Sequence, residues 1–266
     1  MWERYDFDPS VFAGAVWILR FLRMNGFGRC ACRGGSLTGG LTGGGHSDSL
    51  QALEEKESVR MAKARVGEIN MEYYVEGSGP PLLMIQGMGG QASSWGEPFM
   101  EALRPHFTTI RFSNRGVGLS DNPGNVVTIP AMADDAAGLL RELGIAKAHV
   151  LGISMGGMIA QEIALRHPGM VQGLVLGCTG CGPAHSTPPP PETLAKLGQM
   201  MGLPAEERVR AYWSLTVTTA FLESGSAFLE EMIQVALAAP EELARLQATM
   251  ALQFGAITSF TSYDRL

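Results

Sequence analysis

At 266 residues, 45 % of them hydrophobic, the chain has the size for one large α/β domain or two small ones. A net charge of -6 with a pI of about 5.4 excludes a broadly basic protein built to hold nucleic acid. The cysteines number four, in the close pairs Cys30/Cys32 and Cys178/Cys181, which is too few for a disulfide framework, so a reducing, cytoplasmic setting is expected.

The first sixty residues differ from all that follow. Val11 to Leu22 (VFAGAVWILRFL) is apolar but contains Arg20 and is too short to span a bilayer. Glu3, Asp6 and Asp8 precede it where a signal peptide would carry positive charge, and no clean cleavage site follows. Seven of the twelve residues from Gly34 to Gly45 are glycine, a tract that loses much backbone entropy on ordering and offers nothing to bury. Residues 1–60 therefore read as a disordered or spurious leader, with a membrane anchor as the lesser alternative.

From Met61 the pattern becomes orderly. Residues 61–79 predict a β-hairpin with Val66, Ile69, Met71, Tyr73 and Val75 as strand residues and Gly77-Ser78-Gly79 as punctuation. Pro81 to Ile85 (PLLMI) is a continuous apolar run, as in a strand covered on both faces. A helix over Trp95 to Leu103, a strand over Thr108 to Phe112 and a helix over Ile129 to Leu143 closed by Gly144 come next. Strand 148–153, a helix after Ser154 and strand 171–176 complete an alternation that argues for a parallel sheet with helices on both faces. Beyond the prolines at 188–191, four helices are expected near 192–202, 204–218, 226–239 and 241–254, with Pro204 and Pro240 at first helical positions. The division expected is thus leader 1–60, core 61–187 and a helical lid 188–262, whose Met, Trp and Phe residues lean toward an apolar acyl group.

Two glycine-rich turns and one cysteine pair carry the chemistry. Cys178-Thr179-Gly180-Cys181 has C-x-x-C spacing, but zinc would need two more ligands at a matching spacing, and no metal is expected. Gly87-Met88-Gly89-Gly90-Gln91-Ala92 fits the dinucleotide pattern G-x-G-x-x-A between strand and helix, yet no carboxylate follows the next strand before Asp121 to hold a ribose. Gly152-Ile153-Ser154-Met155-Gly156 is G-x-S-x-G between an apolar strand and a helix opened by Gly156-Gly157, the context of a nucleophile elbow. Such a turn lifts the serine hydroxyl above the sheet edge, and the helix N-terminus favours a developing oxyanion. The oxyanion donors expected are the backbone N–H groups of Met155 and Met88, with Gly87 and its neighbours letting the first turn approach Ser154.

The segments EGSGPPLLMIQGMGG (76–90), IRFSNRGVGLSD (110–121), GISMGGMIAQEIALRHP (152–168) and the final YDRL together resemble α/β-hydrolases of the lid-bearing esterase and lactonase group. They are similar to 3-oxoadipate enol-lactonases and aclacinomycin-type methylesterases. The resemblance implies an α/β-hydrolase fold and a small-molecule ester or lactone substrate. It also implies acyl transfer through Ser154, a water-hydrolysed acyl-enzyme and no cofactor. Related dehalogenases and epoxide hydrolases carry Asp at the elbow, so Ser154 argues against both. Perhydrolase or haloperoxidase activity shares the elbow, and a non-catalytic binding protein of the same fold is the alternative from another class.

The departures are specific. Gln86 stands where relatives usually have His, leaving the backbone donor intact, and Ser113 replaces a frequent Asp, which is expected to loosen the turn before Asn114-Arg115-Gly116. After Ser154 the only histidines are His167 and His185 and the only Asp is Asp264. His149 and His167 fall where relatives have structural histidines, and Glu162 shares the helix of Ser154 and cannot reach around. The acid and base are therefore expected in about 60 further residues of strand and helix, the chain reading as a C-terminally truncated fragment with at most trace activity.

Overall fold

The computed structural model describes residues 61–266 apart from 189, 201, 225–229, 231, 232, 235, 236, 238 and 239. The expectations for the leader 1–60 and for most of a helix at 226–239 lie outside the described residues. Strands β1 (Ala62–Val66) and β2 (Ile69–Glu76) form the antiparallel hairpin the sequence predicts, turned at Gly67, whose φ of 54° suits glycine. β3 (Pro81–Ile85), β4 (Thr108–Phe112), β5 (Ala148–Ile153) and β6 (Val171–Gly177) join them in one sheet of order β1-β2-β4-β3-β5-β6. The last four strands are mutually parallel and β2 runs antiparallel to β4, so the sheet is mostly parallel.

Periodicity explains the layers. Leu83 and Ile85 of β3, Ile110 and Phe112 of β4 and Val150 of β5 share an apolar cluster with Met132, Ala136, Leu140, Ile159 and Ile163. These last five belong to helices α2 (Ile129–Glu142) and α3 (Met155–Arg166), which pack on each other and on the sheet. The alternate residues Leu82 and Met84 are buried as well, so β3 is covered on both faces and reads as an unbroken apolar run. α2 starts where Thr128 accepts a hydrogen bond from the Ala131 N–H, and it stops at Gly144, whose φ is 69°.

Several boundaries differ from the sequence reading. The helix expected over 95–103 is broken at Gly96, φ 72°, into a short turn Ala92–Trp95 and helix α1 (Glu97–Leu103). The helical block contains α4 (Pro191–Met200), α5 (Ala205–Thr216), α6 (Thr219–Ser224) and α7 (Pro240–Ser259). Pro204 precedes α5 with an extended ψ of 156° rather than occupying its first turn, and α6 has no counterpart in the sequence reading. α7 runs 20 residues, through Gly255 and past the expected end at 254. No helix among the described residues is long and apolar enough to cross a membrane.

The turn after β4 is tied rather than loosened. Ser113 Oγ donates to the buried carboxylate of Glu72 at 2.9 Å and accepts from the Ala92 N–H at 3.0 Å. Glu72 also accepts from the Leu119 N–H at 2.9 Å, so a carboxylate from β2 does what an Asp at 113 would do from within the turn.

Candidate functional site

Ser154 is held at φ 53° and ψ -122°, a strained conformation for a residue with a side chain, costing about 1–3 kcal/mol. Four hydrogen bonds clamp its backbone. Its N–H donates to Gly177 O at 2.8 Å, and its carbonyl accepts from the Gly157 N–H at 2.9 Å, the Met158 N–H at 3.3 Å and the Thr179 hydroxyl at 2.7 Å. Burial of Met155, Ile159 and Ile163 on α3, each worth about 1.5–3 kcal/mol, outweighs the strain. The outcome is a serine between β5 and the first turn of α3 that is itself exposed, with the backbone fixed and the hydroxyl free to meet a substrate.

The glycines are required by contact. A Cβ on Gly152 would collide with Gly156 O and lie 2.8 Å from Gly157 N. On Gly156 it would collide with Ile85 O and lie 2.6 Å from Gln86 O, and on Gly157 it would lie 2.6 Å from the Thr179 methyl. The helix thus packs directly against the ends of β3 and β6. A Cβ on Gly87 would lie 3.2 Å from Ser154 Cβ and 3.7 Å from its Oγ, so the first glycine turn borders the serine. That turn is closed by Gly90 N–H donating to Gly87 O at 3.1 Å, with Gly89 at φ 73°. Among the described residues no hydrogen bond engages the Met88 N–H, and the Met155 N–H opens α3, where first-turn amides have no intrahelical acceptor. Sequence-predicted Ser154, Gly87, Met88, Gly152, Met155 and Gly156 are therefore brought together at the carboxyl ends of β3 and β5.

His149 and His167 are not brought there. His149 lies five residues before Ser154 on β5, about 16 Å away, edge-on to Phe107 with ring centroids 6.1 Å apart; burial pushes its imidazole below the ordinary range. His167 closes the far end of α3, about 18 Å from Ser154, and bonds Asp134 at 2.8 Å. His185 stacks on Tyr263 at 3.7 Å. Asp134 is held below the usual carboxylate range by hydrogen bonds from Arg166 and then His167. Glu162 is buried and bound by the Arg265 guanidinium at 2.9 and 2.8 Å. Both carboxylates are thus engaged in structural pairs.

Sequence reasoning missed Gln253 on α7, which is fully buried and whose Oε1 accepts from the Gly89 N–H at 2.9 Å. Residues 80–227 match the family model described as alpha/beta hydrolase fold, which is more than half of the chain. This chain belongs to the α/β-hydrolase fold family.

Individual relatives are similar over varied shares of the chain. A protein of Mycobacterium tuberculosis named as a candidate non-heme bromoperoxidase is 39 % identical over 112 residues, 42 % of this chain and 42 % of its own length. A 2-hydroxy-6-oxononadienedioate/2-hydroxy-6-oxononatrienedioate hydrolase from a Pseudomonas species is 31 % identical over 198 residues, 69 % of this chain and 66 % of its own. The chain thus spans less than two thirds of these curated relatives. In structure it resembles the enol-lactonase of Burkholderia xenovorans LB400 with a TM-score of 0.61 at 22 % identity, covering 77 % of this chain and 76 % of that one, a likeness of fold.

Proposed function

We propose that Ser154 is the nucleophile of a serine hydrolase that opens a carboxylic ester or lactone through an acyl-enzyme. The observation that carries this reading is the conformation of Ser154, a strained residue whose backbone is pinned by four hydrogen bonds, with its exposed side chain bordered by a glycine turn. Proteins hold such strain where geometry matters for chemistry. Ser154 Oγ attacks the substrate carbonyl carbon, and its proton passes to a base and then to the departing alkoxide oxygen. The oxyanion forms against the Met88 and Met155 N–H groups, the latter favoured by the positive end of α3. Water then cleaves the acyl-enzyme, releasing the acid and restoring the serine. No cofactor enters these steps. Among the described residues no hydrogen bond joins Ser154 Oγ to a histidine or a carboxylate, and we infer an acid and a base from outside them.

The Mycobacterium relative favours a second reading, in which peroxide rather than water takes the acyl group and yields a peracid. Both use Ser154. In the whole protein, p-nitrophenyl acetate turnover should disappear in Ser154→Ala, while peroxide- and bromide-dependent bromination marks the second reading. Turnover that survives the substitution would remove Ser154 from the chemistry. Stable binding of an ester without any turnover would point to a non-catalytic binding protein of the same fold.

A further inference from the structure

Helix α7 reaches the glycine turn through one face. Arg245, Thr249 and Gln253 are spaced by four residues and so project along one side of the helix. Arg245 donates to Gly118 O, Thr249 Oγ1 donates to Gly116 O at 3.0 Å, and Gln253 Oε1 accepts from the Gly89 N–H at 2.9 Å. The first two bonds reach the loop after β4. The third reaches the turn beside Ser154, where Met250 Sδ also lies 3.0 Å from the position a Cβ on Gly89 would take.

We propose that Gln253 is a positioning residue that latches the turn carrying the Met88 donor; this rests on the reading of Ser154 as nucleophile. In a four-residue turn closed by Gly90 N–H to Gly87 O, a φ of 73° at the third residue is the type II value. The soft motion of such a turn is a flip of its central peptide, here Met88–Gly89, and glycine at the third position resists neither orientation. The Gly89 N–H meets Gln253 only in the orientation observed. The same bond tethers the turn as a whole to α7, so the neighbouring Gly87–Met88 peptide is held beside Ser154 with its N–H free of any protein acceptor among the described residues. The choice of an amide here is not a matter of shape. Gln253 is fully buried, its Nε2 has no partner among the described residues, and a methionine would fill the same space without that unmet donor. Because Gly89 supplies a donor, the oxygen of Gln253 must face it, which fixes the amide's orientation.

The test is the second-order rate of Ser154 phosphonylation by a fluorophosphonate in the whole protein. It is measured for wild type, Gln253→Met, Gln253→Glu and Thr249→Val, with the thermal midpoint and amide exchange of peptide 86–91 followed for each. Gln253→Met should slow phosphonylation by about tenfold and speed exchange in the turn, since a misplaced oxyanion donor weakens the transition state. Gln253→Glu keeps an acceptor for the Gly89 N–H and should therefore leave exchange in the turn slower than in Gln253→Met; exchange as fast as in Gln253→Met would overturn the latch. Thr249→Val loosens the same helix elsewhere and should lower the midpoint without changing the rate. Equal rates in wild type and Gln253→Met would overturn the proposal, as would equal slowing by Thr249→Val. If Gln253→Met fails to fold, Gln253→Leu takes its place with the same expectations. A wild type that never labels at Ser154 would instead overturn the nucleophile reading, and the latch with it.

Discussion

Around Ser154 the chain is shaped by backbone against backbone, with Gly152, Gly156 and Gly157 seated where any Cβ would strike a neighbouring strand, turn or side chain. Helix α7, by contrast, makes its contacts through side chains: Gln253 to Gly89 in the first glycine turn, and Thr249 to Gly116 and Arg245 to Gly118 in the loop after β4. The first kind of contact admits one residue type. The second can be met by several, and losing it costs a hydrogen bond rather than a collision. The two regions should therefore break differently.

The largest loss is expected at the elbow. Gly156→Ala drives a methyl into Ile85 O and Gln86 O, neither of which can retreat without moving β3. We expect about 3 kcal/mol of destabilisation and a fall of roughly 10 °C in thermal midpoint. A midpoint within 2 °C of wild type, as rough measurement error, would mean that the helix can lift off the strand at little cost. Next comes the anchor of the final segment to α3. Arg265→Ala leaves the buried carboxylate of Glu162 without its partner, and about 2 kcal/mol is expected. The loss is below that of a fully buried pair because Arg265 is half exposed. Glu162→Gln should cost less than Arg265→Ala, since it leaves no buried charge, and the reverse order in a urea titration would contradict this account.

That contrast also explains what could be read in advance. The hairpin and α2 and α3 follow from periods of two and 3.6, and the parallel strands from continuous apolar runs such as PLLMI, whose burial has no local alternative. The strand, tight turn and helix around Ser154 were legible because backbone collision leaves glycine as the single answer at 152 and 156. Gln253 was not legible: a glutamine in a helix is ordinarily a solvated residue, and its partner lies 164 positions away. Only the spacing of Arg245, Thr249 and Gln253 hinted at a polar face. Ser113 misled for a related reason, because the carboxylate that ties its turn comes from Glu72, on a strand 41 positions earlier. Gly96 falls inside the helix expected over 95–103, yet its φ of 72° ends one turn and starts another.

Smaller effects sharpen the same contrast. Thr249→Val removes one buried hydrogen bond and leaves the Gly116 carbonyl bare, so about 1 kcal/mol is expected from thermal unfolding, well below the loss at Gly156. The pH response of His149 should be smaller still. Burial lowers its affinity for a proton in the fold, so the unfolded chain binds protons more readily. Its effect is absent above the unfolded value near 6.5, and stability falls as pH drops below that toward the lowered folded value. His149→Leu should flatten the dependence of the urea midpoint between about pH 7.5 and 5.5; an unchanged slope would assign the acid sensitivity to other groups.

The central claim is that Ser154 is the reactive serine, and covalent mapping tests it most directly. After exposure of the whole protein to a fluorophosphonate, peptide mass spectrometry should place one adduct on the peptide containing Ser154. Ser154→Ala should carry none while retaining its thermal midpoint. An adduct on another residue, or one that persists in Ser154→Ala, would contradict the account.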